Sequence, residues 1–283
     1  MSLGVLSNVA ATYAQNNLNQ TQASLQTVLQ QLSSGSRINT GSDDAAGLSI
    51  ASGLAANQAA LTQSVQNASQ GVSLLQTADG ALSQVTSLLN RATTLATEAS
   101  TGTLTTAQSA DADAEFQNIL AEIGNIGSGA NFNSINVLTA ATTNIVVTDG
   151  SAAGLTTIAA KTGVLTTASV GTATGGGAGI DLSSSVLTSQ SSAAAALIKI
   201  TDAIGDISNQ RGTIGATVNQ LTAAGNVAST EEVNLQSAYS AVTATNYGQA
   251  TSQLANLQVL SQTGIAALAQ ANAVQQEILK LVQ

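Results

Sequence analysis

The chain has 283 residues, enough for one large or two ordinary domains, but only 7% are charged, where about 25% is usual, and 2% are aromatic. It contains no His, Cys, Pro or Trp, which excludes an imidazole base, a thiolate nucleophile, a soft-ligand metal site and any His-Glu-x-x-His motif, so neither enzyme activity nor a cofactor is expected. Six basic residues against fifteen acidic ones leave a net charge of −9, which excludes a surface that neutralises several phosphates and with it a nucleic-acid partner.

In chain order, Met1 to Gln31 carries neither Lys nor Arg and no uninterrupted apolar run, unlike a conventional signal peptide. No stretch approaches the roughly 18 apolar residues needed to cross a bilayer, so no membrane partner is expected. Composition alone would make the protein cytoplasmic. From Ala11, the residues Ala14, Leu18, Thr21, Leu25, Val28 and Leu32 alternate spacings of three and four, the pattern of a coiled-coil seam. Gln, Asn, Ser and Thr fill its other faces, so this helix depends on tertiary packing. Leu32 to Ser52 reads as a joint between two helices. Gly35 supplies a helix stop, and Ser42-Asp43-Asp44 offers N-cap oxygens and negative charge to the helix that follows, a capping role that is preferred here to catalysis or metal binding.

After the joint, Leu61, Val65, Ala68, Val72, Leu75, Asp79 and Leu82 continue the alternation, which predicts a helix from Asp43 to Ala99. Gly71 and Gly80 inside it either admit a close approach or are tolerated defects. Ser100 to Ala110 reads as a loop. Ala112, Phe116, Ile119, Ile123 and Ile126 form a third helical stripe that ends near Gly127 and Gly129, and Asn131 to Leu138 follows as extended chain. Asn144 to Thr148 with Asp149-Gly150 predicts a strand and tight turn. Together with the Gly175-Gly176-Gly177 cluster it marks residues 140–190 as a small β-rich or partly irregular insertion.

Helix returns at Ala193 and runs on through Ile204, Ile207, Arg211, Ile214, Val218, Leu221, Gly225 and Ala228. Ser229-Thr230-Glu231-Glu232 has the form of a capping box that would start a new helix. Asp79 and Arg211 fall on different seams; each is expected to reach water along its stem, with a register-setting charge pair as the alternative. The last segment carries two adjacent stripes, Leu254, Leu257, Gly264, Leu268, Ala271, Ile278 and Val282 beside Leu260, Ala267, Val274 and Leu281. So wide an apolar face needs more than one partner, and this is the pointer to polymerisation in the residues themselves.

The joint also carries Leu32-Ser33-Ser34-Gly35, Arg37-Ile38-Asn39 and Asp43-Asp44-Ala45-Ala46-Gly47 in close order, and this resembles bacterial flagellins, the subunits of the flagellar filament. Asn246-Tyr247, Gln262-Thr263-Gly264 and Leu268-Ala269-Gln270-Ala271-Asn272 resemble the second hallmark of that family. Asn67 to Gly71, Gly80-Ala81-Leu82 and Asn131-Phe132-Asn133 look like matching segments between the ends. The resemblance implies a mainly α protein, a long antiparallel helical bundle or coiled coil formed by both chain ends, with a small β-rich central insertion. In that plan residues 1–42 form an inner-core helix paired with 245–283. Residues 43–139 form outer-core helices packed with 191–244, and 140–190 is a variable insertion facing solvent.

The resemblance further implies an extracellular homopolymer that serves swimming motility and is exported through the flagellar type III apparatus without a cleaved signal peptide. Its implied partners are other copies of the chain, an export chaperone, and junction and cap proteins. The implied assembly seams are Leu18, Leu25, Val28 and Leu32 with Leu254, Leu257, Leu260, Leu268, Ala271, Ile278 and Leu281, in segments that fold between neighbouring subunits. Some flagellins meet an animal innate-immune receptor through positions matching Arg91, Leu95 and Glu115, although Ile119 stands where recognised members carry arginine. Gln275 and Gln283 replace the family's usual proline and terminal arginine, and Val242-Thr243-Ala244-Thr245 replaces charged residues, which points to a distant branch. The family also implies one continuous helix through Ser229, and continuity is the expectation. A hook–filament junction protein is the alternative reading, and a secreted adhesin a more remote one.

Overall fold

A computed structural model describes residues 8–150, 156–171 and 179–282, without the side chains of 278–282. The Gly175-Gly176-Gly177 cluster and the side chains of Ile278 and Leu281 therefore lie outside the described residues. The elements are α1 (Val9–Ser34), α2 (Ala45–Ser100), α3 (Thr106–Gly129), β1 (Asn131–Phe132), β2 (Ile135–Asn136), β3 (Thr143–Val147), β4 (Thr156–Ala160), α4 (Gln190–Thr243) and α5 (Tyr247–Val282). They divide into two compact units, one of Met1–Ala56 with Asn234–Gln283, the other Asn57–Val233.

In the second unit α2, α3, α4 and the insertion share one core. Along α2 the buried positions are Leu61, Ser64, Ala68, Gly71, Leu75, Ala78 and Leu82, and the same alternation continues through Val85 and Leu89. Three of these differ from the predicted seam, because Val65, Val72 and Asp79 are half-buried and their smaller neighbours Ser64, Gly71 and Ala78 point inward. The hairpin of β3 and β4 explains the choice at two of them. The Ser64 hydroxyl donates to the Thr148 carbonyl at 2.7 Å and accepts from its N–H at 2.8 Å, and Asn67 Nδ2 donates to the Val146 carbonyl at 3.1 Å. At Gly71 a Cβ would collide with the Ile145 side chain, whereas at Gly80 it would meet nothing within 4 Å. A scan for large apolar residues misses a seat made of small ones.

Along α4 the core face is Ala203, Ile207, Gln210, Ile214, Leu221 and Ala228. Gln210, 5% exposed, takes the inward position predicted for Arg211. Arg211 instead reaches Asp79, Nε to Oδ1 at 2.7 Å and Nη2 to Oδ2 at 3.3 Å, with side-chain exposures of 36% and 40%. The charge pair therefore forms where separate solvation was expected, and both partners still keep contact with water.

Other departures are local. α3 begins at Thr106, inside the predicted loop, because Thr105 and Gln108 form a reciprocal capping box. The stretch predicted as extended folds back as β1–β2, with Asn133 and Ser134 at φ of 50° and 63° in the turn. The insertion holds two five-residue strands paired antiparallel. It contributes Ile145, Ile158, Leu165, Val170, Leu182 and Leu187 to the core. Its return arm is tied to α3, the Leu187 N–H donating to Asp113 at 2.6 Å and Gln117 to the Ser185 carbonyl at 2.9 Å. α4 is continuous through Ser229. The Thr230 hydroxyl donates back to the Asn226 carbonyl at 2.9 Å, and Glu232 accepts from the Thr62 hydroxyl at 2.9 Å. Neither carboxylate there has the capping role proposed from sequence.

Candidate assembly interface

The first unit is built on α1 and α5, which pack closely along each other. Their direction follows from their contacts. Asn8, the N-cap of α1, donates from Nδ2 to the Ala271 carbonyl at 3.0 Å, Leu18 lies against Gly264, and the Thr245 hydroxyl donates to the Gln31 carbonyl at 3.2 Å. Rising numbers in α1 meet falling numbers in α5, so the pair is antiparallel. Leu18, Leu25 and Leu32 are half-buried and Val28 buried on α1; Leu254, Leu257, Leu268 and Ala271 are half-buried on α5. Leu260 is not brought to this seam: it is 55% exposed, on the second stripe with Ala267 and Val274. Val9 and Tyr13 on α1 and Val259, Ile265 and Tyr247 on α5 are exposed as well. Two parallel stripes were legible in sequence. Which of them meets α1 was not, because both have heptad spacing.

The joint explains its own sequence. Gly35 ends α1 in the left-handed conformation, φ 71°, with its N–H donating to the Gln31 carbonyl. That conformation favours glycine, and a Cβ would also stand 2.9 Å from the Tyr247 hydroxyl. Ser36 then forms an antiparallel bridge with Ala244, between α4 and α5. The Arg37 N–H donates to the Thr243 carbonyl at 2.6 Å, its Nη2 to the Val242 carbonyl at 3.0 Å, and the Thr245 N–H to the Gly35 carbonyl at 3.0 Å. A guanidinium on the last carbonyls of α4 complements the negative end of the helix dipole. Asp44 accepts from the Gly47 N–H at 2.8 Å and is the true N-cap of α2. Asp43 instead accepts from the N–H groups of Thr40 and Asn39 at 2.8 and 3.0 Å. These bonds, Thr40 first, hold its carboxyl below the ordinary aspartate value. Beside the joint, Ile38, Leu48, Ala51, Ser52, Ala55, Tyr239 and Thr243 line a hollow of about 140 Å³ that carries no carboxylate, amine or imidazole.

In the second unit, Arg91 and Glu115 are brought together across α2 and α3, Nε to Oε1 at 2.7 Å and Nη2 to Oε2 at 3.0 Å. The hydrogen bond from Arg91 lowers the Glu115 pKa. Both side chains are about half exposed, while Leu95 between their positions is 4% exposed and belongs to the core. Among the described residues there is no group of three or more acidic, His or Cys residues placed to hold a metal, and no helix long and apolar enough to cross a membrane.

Comparison with known proteins gives this geometry a family. A model of the bacterial flagellin N-terminal helical region matches residues 5–143, and one of the C-terminal helical region matches 197–282, together well over half of the chain. Flagellin 1 of Proteus mirabilis is 36% identical over 150 residues, 53% of this chain and 41% of that protein. Flagellin of Serratia marcescens is 40% identical over 138 residues, 49% of this chain and 39% of that one, and flagellin of Escherichia coli strain K12 is 38% identical over 138 residues, 49% and 28%. The chain thus spans about two fifths or less of the length of these curated relatives. The crystal structure of Bacillus cereus flagellin aligns over 57% of this chain and 88% of that one, at 26% identity and a TM-score of 0.48. The matched regions contain both α1 with its joint and α5 with its two stripes, and the chain belongs to the bacterial flagellin family.

Proposed function

We propose that this chain is a structural subunit that polymerises into an extracellular flagellar filament and so serves swimming motility. The observation that carries the reading is the exposed apolar surface of α1 and α5. Val9, Tyr13, Leu29, Tyr247, Val259, Leu260, Ile265 and Val274 are all exposed by 46% or more, in a unit whose two terminal helices share a single narrow seam. Burying one such side chain is worth about 1.5–3 kcal/mol, so neighbouring copies that cover the outer stripe would supply what this seam lacks. The same reading includes residues 1–42 and 245–283 as the inner pair, residues 43–139 and 191–244 as the outer one, and 140–190 as the variable part. It also includes export through the type III apparatus without a cleaved signal peptide, with chaperone, junction and cap proteins as partners by family membership. It assigns any innate-immune contact in the outer helices to Arg91 and Glu115, whose charges are mutually engaged, while Leu95 is buried in the core.

The test is polymerisation of purified chain on short filament seeds, followed by sedimentation and electron microscopy. Long uniform tubes are expected from the intact chain, and none after deletion of residues 254–283 or with Leu260→Gln, whose exposed side chain the monomer does not need. An intact chain that stays monomeric or stops at small rings under every condition would overturn the reading in favour of a junction protein.

A further inference from the structure

The hairpin of β3 and β4 has two edges, and the chain treats them differently. Side chains of α2 bond to Val146 and, just past the strand end, to Thr148, so these are the positions whose N–H and carbonyl groups point away from β4. Thr143, Ile145 and Val147 therefore face β4, where they stand opposite Ala160, Ile158 and Thr156. Backbone direction alternates along an antiparallel pair, which leaves the N–H and carbonyl groups of Thr157 and Ala159 pointing outward. Both residues are exposed, and among the described residues no hydrogen bond reaches them from outside the hairpin. An open edge of this kind is ordinarily blunted by a charge, a proline or a bulge. Thr156 to Ala160 holds neither charge nor proline, and its pairing with β3 runs through consecutive positions without a bulge.

We infer that this edge is a strand-addition site for the same edge of a second copy of the chain, β4 pairing antiparallel with β4 about a two-fold axis at Ile158. The available bonds fix the register. With Thr157 of one copy opposite Ala159 of the other, both outward-facing residues of each strand exchange their N–H and carbonyl bonds; a shift of two residues either way keeps only one such pair within β4. The same register leaves Ile158 and Ala160 of both copies on the core side. Charge permits it as well. The nearest charge along the strand, Lys161, lies three positions from the axis, so the lysines of two copies stand about 20 Å apart along the strands, beyond the Debye length of about 8 Å at physiological salt. A foreign peptide is the poorer fit, because strand addition draws its selectivity from pockets beside the edge, and Thr157 and Ala159 are too small to wall one. Pairing along so short a strand is weak in water, so it operates where copies are held at high effective concentration. For that setting the inference rests on the filament reading.

The chain has no cysteine, so introduced thiols report the contact without background. Full-length Thr157→Cys and Ala159→Cys proteins are mixed in equal amounts, polymerised on seeds, sedimented and imaged, and then oxidised. The inferred register brings these two positions to a Cα separation of about 5.5 Å, within the range of a disulfide. Identical positions lie diagonally, about 7–8 Å apart, beyond that range. The mixture is therefore expected to give at least about tenfold more covalent dimer than either variant alone. A control mixture of Thr157→Cys with Asn90→Cys, at an exposed position on α2, gives no more dimer than the single variants. Equal yields from the mixture and the single variants, or from the mixture and the control, would overturn the inference, as would filaments without covalent dimer. Sedimentation and imaging before oxidation report the filament reading separately. If no filament forms, the same mixtures are oxidised as unassembled chain at about millimolar concentration, where the same pattern of yields supports the edge contact and its absence overturns it.

Discussion

Replacing Gly127 by alanine separates local helix preference from tertiary packing. In the middle of an exposed helix, Gly→Ala is favourable by about 1 kcal/mol. Gly80 in α2 meets that description, with nothing within 4 Å of the position its Cβ would take. Gly127, in the last turns of α3, does not. A Cβ there would overlap the Leu165 carbonyl oxygen and stand 2.9 Å from the carbonyl carbon. The obstacle is backbone, and Leu165 is itself 2% exposed, so no side-chain rotation relieves it. Overpacking of this kind costs typically about 1–3 kcal/mol, which outweighs the gain in helix preference. The 177-residue unit that contains both positions, Asn57–Val233, has a size at which 1 kcal/mol shifts Tm by about 2–4 °C. Gly80→Ala is therefore expected to raise Tm by about 2–4 °C and Gly127→Ala to lower it by a comparable amount. Thermal unfolding followed by circular dichroism reads both. A Gly127→Ala protein as stable as Gly80→Ala would mean that the insertion does not pack on α3 at Leu165.

Two further outcomes follow from charges. Arg211→Met removes a pair that is more than a third exposed on each side, so solvent screening limits the loss to about 0.2–1 kcal/mol and Tm falls by roughly 1–3 °C; a fall of ten degrees or no dependence on salt would show that the pair is a buried lock. Asp43 has its folded pKa depressed below 3.8 by the N–H groups of Thr40 and Asn39, so its contribution is complete above the ordinary aspartate value and is lost as pH falls through the lower folded value. Asp43→Asn should accordingly weaken exchange protection of the Thr40 amide relative to wild type above the ordinary aspartate value, and the gap should narrow as pH falls through the lower folded value. An unchanged gap would remove the carboxylate from the joint's stability.

Much of this protein was settled by sequence alone. Apolar spacing of three and four is a property of neighbouring residues, and it marked α1, α2, α3, α4 and α5 because a helix brings those positions onto one face whatever lies opposite. Gly35 and the Asp43-Asp44 pair marked the joint for the same local reason, since helix ends leave N–H and carbonyl groups that nearby atoms must satisfy. Thr105-x-x-Gln108 is a signal of the same local kind, the capping box that starts α3 inside the predicted loop. Tertiary structure decided the rest. It chose Ser64, Gly71 and Ala78 over Val65, Val72 and Asp79, seating the β3–β4 hairpin at the first two. It set Arg211 against Asp79, because the register of two remote helices is a nonlocal quantity. It also placed Leu254, Leu257 and Leu268 on α1 and left Leu260 outside. Two heptad stripes on one helix are equivalent until a particular partner packs against one of them, and hydrophobic attraction has no direction by which the sequence could say which.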